Sequence, residues 1–285
     1  MPDFVKSHGL GNDYLVMVGE HLPIELNEAR IRLICHRNYG VGSDGILLLV
    51  PAENADFGLR IFNPDGSEAE KSGNGVRIFG KFLYDHHFTR EDRFTVQTPG
   101  GLVHLSLDRV CDGRVSLLTA NMGRATFDDI DRIMLEGEEL RVTSVSVGNP
   151  HCVIVVPDVE AIDLETIGPK IETHPAFPNR TNVQFAQVLS RDRVKIVIWE
   201  RGAGVTLASG SSSSAVAAAT HRLGLTDSRV TVQSPGGELR IAIDDQGEIW
   251  LTGPVEEVCS GDLSPDLLAR LRELDGPALR KRGRK

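Results

Sequence analysis

Apolar positions along the chain fall into short runs that alternate or cluster. Tyr14 to Val18, Ile46 to Val50 and Val153 to Val156 are β-branched and apolar, bounded by Gly, Pro, Asn and Asp, and each predicts a strand. Leu59-Arg60-Ile61-Phe62 and Lys195-Ile196-Val197-Ile198-Trp199 alternate with period two and predict two more. Helical spacing takes over from about Asn74 to Tyr84, where Val76, Ile78, Phe79, Phe82 and Leu83 are apolar on more than one face. A second helix is predicted from about Ser212 to Arg222, around Ala215-Val216-Ala217-Ala218-Ala219. Both read as buried central helices. A last helix is expected after Ser264 as N-cap, with Pro265 in its first turn and Leu267, Leu268, Leu271 and Leu274 on one face, packing back on one of the domains.

The same pattern occurs twice. Thr95-Val96-Gln97-Thr98-Pro99-Gly100-Gly101 recurs as Thr231-Val232-Gln233-Ser234-Pro235-Gly236-Gly237, and the strand–turn–Ser72-Gly73–helix unit recurs, at nearly the same offset, around Ser209-Gly210. Pro-Gly-Gly alone is common turn chemistry; two matched elements at one offset indicate duplication. The period is far too long for a solenoid repeat, so the reading is one α/β domain duplicated, with a small-molecule cleft expected between the halves. The expected boundaries are residues 1–120, 121–262 and a C-terminal segment 263–285.

Composition narrows the function. With 285 residues, 40% hydrophobic and 25% charged, the chain reads as a soluble globular protein. A formal net charge of -9 argues against general affinity for nucleic acid or anionic lipid. The one basic run, Arg280 to Lys285, reads as a solvated tail. The absence of a signal-type N-terminus or a long apolar run places the protein in the cytoplasm with no membrane partner. Cys35, Cys111, Cys152 and Cys259 lie far apart, make neither metal-ligand nor disulfide spacing, and are expected to be buried small hydrophobes. No metal is expected.

The polar loop 63–75, from Asn63 to Gly75, and the loop 200–214, from Glu200 to Ser214, each end at a predicted helix start. Free N–H groups and the positive end of the helix dipole suit a carboxylate or phosphate there, although loop 63–75 alone also reads as plain turn and cap chemistry. Two such helix ends aimed at one ligand would suit a reaction with one group on each face of a carbon, such as stereoinversion. The glycines of Gly40-Val41-Gly42-Ser43-Asp44-Gly45 lack the full dinucleotide pattern, so no nucleotide is expected. His8 and His151, flanked by Gly-Asn or Asn-Pro neighbours, are open to both structural and chemical roles.

These segments together resemble the diaminopimelate epimerase family. The resemblance rests on Phe4-x-Lys6-x-His8-Gly9-Leu10-Gly11-Asn12-Asp13, Gly42-Ser43-Asp44-Gly45, Asn63-x-Asp65-Gly66-Ser67-Glu68, Gly73-Asn74-Gly75-x-Arg77, Gly148-Asn149-Pro150-His151, Arg180-x-Asn182-Val183 and Glu200-Arg201-Gly202-Ala203-Gly204, in that order from residue 4 to about 262. It implies an α/β (α+β) fold of two pseudo-symmetric domains, each a mixed sheet or barrel wrapped around a central helix. It also implies cofactor-free interconversion of LL- and meso-diaminopimelate for lysine and peptidoglycan synthesis. By motif position, Asn12, Asn63, Asn149, Asn182, Glu200 and Arg201 would hold the substrate's ammonium and carboxylate groups. The amides of Gly73, Asn74, Gly210 and Ser211 would cradle the reacting carboxylate, while His151 and Glu200 would tune the acid and base. A homodimer stays open as an assembly.

The family works with two cysteines, and the corresponding positions here are Ser72 and Ser209. A thiol has a reference pKa of about 8.5, lowered further at a helix N-terminus. An alcohol is far less acidic and needs an adjacent base. Epimerisation with Ser72 and Ser209 at the reacting centre is the first reading; elimination of water from another amino acid, or amino-acid binding without catalysis, are its rivals.

Overall fold

The structure is a computed structural model that describes residues 1–274. The basic run Arg280 to Lys285 lies outside the described residues. The fold is mixed α+β and mostly strands, with five α-helices among the described residues: α1 (Glu28–Cys35), α2 (Gly73–Asp85), α3 (Leu164–Glu172), α4 (Gly210–Arg222) and α5 (Pro265–Glu273). Among the described residues the chain divides into two compact units, one holding Met1–Leu118 with residues 255–274, the other Thr119–Pro254.

In the first unit, Phe4–Gly9 and Asn12–Val18 form an antiparallel hairpin, with Val5 opposite Val16. Its turn residues Leu10 and Gly11 take positive φ of 56° and 88°, a conformation that suits the glycine and strains the leucine. A crossover through α1 leads to Ile46–Val50, parallel to Asn12–Val18, and then to its antiparallel neighbour Phe57–Phe62. A second crossover, through α2, leads to Arg93–Thr98, parallel to Phe57–Phe62 and antiparallel to Gly101–Cys111.

The second unit repeats this plan element by element. Thr143–Ser146 and Pro150–Val155 form the opening hairpin, and α3 crosses to Asn182–Ser190, parallel to Pro150–Val155. Arg193–Glu200 follows antiparallel, and α4 crosses to Arg229–Ser234, parallel to Arg193–Glu200 and antiparallel to Gly237–Ile243. The two-stranded ribbon Arg132–Leu135 with Glu138–Arg141 is peculiar to this unit.

Both central helices are enclosed by strands. From Gly73 to Leu83 every residue of α2 is buried, and Val76, Ile78, Phe79, Phe82 and Leu83 contribute about 1.5–3 kcal/mol each on burial. In α4 the run Ser212 to Thr220 is buried, and alanines at four of its positions let strands from across the unit approach the helix closely. A core of Leu15, Met17, Ile31, Ile34, Ile46 and Phe62 receives Leu263 and Leu271, so the last helix packs on the first unit. Ser264 caps α5 by accepting from the Leu267 amide, and Arg30 Nε donates to the Leu271 carbonyl at 2.8 Å.

The cysteines divide. Cys35 and Cys152 are buried, but Cys111 and Cys259 are exposed. Each exposed one lies in a run of exposed strand residues rather than on an inward face: Cys111 ends Gly101–Cys111 and Cys259 lies in Glu256–Gly261, segments that a composition-based expectation of burial overlooks.

Candidate active site

In the first unit the site is built on the start of α2. Ser72 is the N-cap, with extended φ −139° and ψ 120°, and its Oγ accepts from the Gly75 amide at 3.0 Å. This close seat depends on Gly75, where a Cβ would come within 3.1 Å of Ser72 Oγ and 3.0 Å of Leu47. Tyr14 Oη stands 3.3 Å from the same Oγ. The hairpin tip of the repeated Pro-Gly-Gly segment fixes the approach: the Gly100 amide donates to the Glu70 carbonyl at 2.8 Å, two residues ahead of Ser72.

Asn74 Nδ2 donates to Asn12 Oδ1 at 3.2 Å, and Asn12 Nδ2 donates to Asp44 Oδ2 at 3.0 Å, so Asn12, Ser72, Gly73 and Asn74 come together. Asp44 belongs to a charged cluster with Asp13, Arg37 and Lys6. Burial works to raise the Asp13 carboxyl, but hydrogen bonds from Arg37 and Lys6 win and hold it at about 2. Asn63 lies in a turn where its Nδ2 donates to Ser67 Oγ at 3.0 Å.

The second unit shows the same cap. Ser209 has φ −141° and ψ 126°, and its Oγ accepts from the Ser212 amide at 3.4 Å and lies 3.3 Å from Ser211 Oγ. Again the hairpin tip holds the preceding segment, the Gly236 amide donating to the Leu207 carbonyl at 2.8 Å, two residues ahead of the serine. The repeated sequence therefore has one mechanical purpose in both halves: it anchors the chain that delivers the cap serine.

His151, Asn182 and Gln184 share one face of a parallel strand pair, His151 opposite Asn182. That face looks at α4, because Gln184 Nε2 donates to Ser212 Oγ at 3.0 Å. Cys152, Val183 and Phe185 point the other way into the core under α3. Burial raises the Cys152 thiol far above its ordinary range, so it supplies no thiolate. His151 is fully buried; desolvation pushes its pKa down to about 3, which makes it a neutral imidazole whose Nε2 bonds Asn149 Oδ1 at 2.9 Å. Asn182 links two neighbours, donating to the Pro150 carbonyl at 2.8 Å and accepting from the Arg201 amide at 3.0 Å. Asn149, His151, Asn182 and Arg201 thus form one cluster.

A sequence model of the diaminopimelate epimerase family matches residues 4–127 and 143–258. The chain belongs to the diaminopimelate epimerase family. The unmatched stretch between the two segments contains the extra ribbon, residues 132–141. Diaminopimelate epimerase 2 of Nostoc sp. is 46% identical over 280 residues, covering 93% of this chain and 97% of its own. The diaminopimelate epimerase of Methanothermobacter thermautotrophicus is 43% identical over 261 residues, covering 86% and 91%. The fold extends to distant solved structures: a probable proline racemase from Agrobacterium radiobacter K84 aligns with a TM-score of 0.72 at 17% identity, covering 93% of this chain and 94% of that one.

Within this family member, two supporting residues carried no signal in the sequence reading. Buried Glu172, the last residue of α3, accepts from the Gly202 amide at 2.8 Å, Trp199 Nε1 at 2.7 Å and Arg180 at 2.5 Å. It thereby anchors the turn that carries Glu200 and Arg201, where Gly202 and Gly204 take positive φ of 79° and 80°. Gln184 is the other, tying the His151 strand to the first turn of α4. Only their distant partners reveal them; Gln184, two residues beyond Asn182 on a strand, was the one position that period-two spacing would have offered.

Proposed function

We propose that this protein is a diaminopimelate epimerase, inverting the α-carbon of LL-diaminopimelate to give the meso form by cofactor-free proton transfer, with Ser72 and Ser209 in the two proton-transfer positions. The observation that carries the reading is the pair of cap serines. Two equivalent central helices begin with serines of matching backbone angles, each hydroxyl seated on its own helix's N–H groups and each approached through a Pro-Gly-Gly anchor.

The chemistry follows from that seat. A hydroxyl oxygen at a helix N-terminus receives an N–H bond and the positive end of the dipole, both of which favour its anionic form. Tyr14 and Ser211 are hydroxyl neighbours through which a proton can pass to or from Ser72 and Ser209. As the α-proton leaves, the substrate carboxylate gains enolate charge, which the amides of Gly73, Asn74, Gly210 and Ser211 are suited to receive. Asn12, Asn63, Asn149, Asn182, Glu200 and Arg201 hold the ammonium and carboxylate groups, and neutral His151 supports the cluster as a hydrogen-bonding group. A serine hydroxyl is far less acidic than a thiol and is seldom present as the alkoxide that takes the proton, so turnover is slow for this family.

We also propose that the protein acts in the cytoplasm as a homodimer. Among the described residues, no helix is long and apolar enough to cross a membrane. Incubation with LL-diaminopimelate in deuterated water tests the reaction. α-Deuterium uptake with formation of the meso isomer is expected; tight binding with neither would leave an amino-acid binder, and loss of water from a hydroxy-amino acid would mean elimination.

A further inference from the structure

Arg77 is the largest fully buried side chain among the described residues, with 0% exposure, five residues into α2 from its cap. Its Nη1 donates to the Gly73 carbonyl at 3.0 Å and its Nη2 to Asn74 Oδ1 at 2.9 Å. Its Nε is buried without a partner. Among the described residues no carboxylate lies within ion-pairing distance of it, while Asp13 and Asp44 are engaged by Lys6, Arg37 and Asn12. Burial lowers its pKa from 12.5 to about 9, which leaves it charged at neutral pH. A full positive charge therefore sits in the core directly behind a helix N-terminus, itself positive, and among the described residues no carboxylate side chain pairs with it directly.

The chain makes room for this arrangement. A Cβ at Gly9 would come within 3.2 Å of Arg77 Nη2, so glycine there allows the strand Phe4–Gly9 to close over the guanidinium. The hydrogen bonds running outward from Arg77 have a fixed direction: Arg77 donates to Asn74, Asn74 to Asn12, and Asn12 to the Asp44 carboxylate. With a cation at one end and an anion at the other, neither amide can turn over without setting two donors or two acceptors against each other. Each amide keeps one N–H outside this relay.

We propose that Arg77 is the positioning residue of the α2 half-site: it locks the first turn of α2 and the Asn74–Asn12 amide pair in the orientation that receives a substrate carboxylate, and that carboxylate supplies its missing counter-charge. This inference rests on the proposed function, which puts a carboxylate at the Gly73 and Asn74 amides.

The test compares full-length wild type, R77M and R77K for ligand-free melting and for calorimetric binding of LL-diaminopimelate. Removing an unbalanced buried charge in favour of an apolar chain of similar length is neutral or stabilising. R77M is therefore expected to melt at or above the wild-type temperature yet bind about 10- to 100-fold more weakly, the loss that goes with charged hydrogen bonds. A purely structural arginine would do the reverse, lowering the melting temperature and sparing affinity, and that result overturns the inference. Should R77M fail to fold, R77K decides, since it keeps the charge but cannot bond Gly73 and Asn74 with a fork: binding at least about tenfold weaker supports the proposal, unchanged binding overturns it. Wild type that does not bind LL-diaminopimelate overturns the proposed function and this inference with it; wild-type binding that R77M leaves intact overturns the inference alone.

Discussion

Glu172→Gln isolates the anchoring of the Glu200–Gly204 turn. The carboxylate receives three donors: Gly202 N and Arg180 on Oε1, and Trp199 Nε1 on Oε2. Glutamine offers one oxygen and one NH2, so if the oxygen serves Gly202 and Arg180, the NH2 confronts the indole N–H. At least one buried bond is lost and the remaining ones cease to be charge-assisted, a cost of about 2–4 kcal/mol. For a unit of this size each 1 kcal/mol shifts melting by about 3–4 °C, so the expected fall is about 6–16 °C. Loosening the turn also displaces Glu200 and Arg201, raising KM for LL-diaminopimelate about tenfold, as expected for one misplaced charged contact. Calorimetric melting, chiral assay of the product and a double-mutant cycle with Trp199→Phe are the readouts. The cycle should show coupling of about 1–2 kcal/mol, because Phe removes the same indole bond. A melting temperature unchanged within error, or strict additivity with Trp199→Phe, would refute the assignment of Glu172 as the anchor.

Other outcomes follow from the same geometry. Native His151 stays neutral down to about pH 3, whereas a free histidine takes up a proton near 6.5, so the unfolded chain binds the extra proton first. Stability should then fall as pH drops from 6.5 toward 3, by up to about 1.4 kcal/mol per unit, and His151→Asn should flatten that slope in urea titrations; equal slopes would contradict it. Gly100→Ala places a Cβ 2.9 Å from the Glu70 carbonyl oxygen and must shift the segment that delivers Ser72. Epimerisation should drop about tenfold with a stability loss of about 1–3 kcal/mol, whereas Gly113→Ala, with nothing within 4 Å but a φ of +75°, should cost stability alone. Gly75→Ala should crowd Ser72 Oγ and lower turnover while leaving melting nearly unchanged, which parallel activity and melting measurements would check.

Much of the architecture was legible because its signals are local. Ser72, Ser209 and Ser264 announce their helices as caps, and the predicted strand Ile46 to Val50 is found with the bounds the sequence suggested. The two central helices begin at Gly73 and Gly210, slightly earlier than apolar periodicity indicated, since glycine and serine carry no hydrophobic signal. The repeat was visible as sequence, but its purpose was not: hydrogen bonds from Gly100 to Glu70 and from Gly236 to Leu207 join segments roughly 30 residues apart. The helix Leu164–Glu172 hid behind Pro169, and the pairing of Phe4–Gly9 with Glu256–Gly261 joins the two ends of the chain with no local signature. Glu172 and Gln184 escaped because each is defined by partners that only folding brings to it, whereas Arg77 stood in the Gly73-Asn74-Gly75-x-Arg77 motif and only its burial was hidden.

Replacing both cap serines by cysteine, S72C together with S209C, tests the central claim most directly when α-deuterium uptake and inversion of LL-diaminopimelate are followed in the same sample. Thiols at the same helix starts ionise far more readily than alcohols, so both rates should rise together by more than about 100-fold, with each single variant falling short of the pair. A folded double variant that binds LL-diaminopimelate but inverts it no faster than the parent would contradict the placement of Ser72 and Ser209 at the reacting carbon.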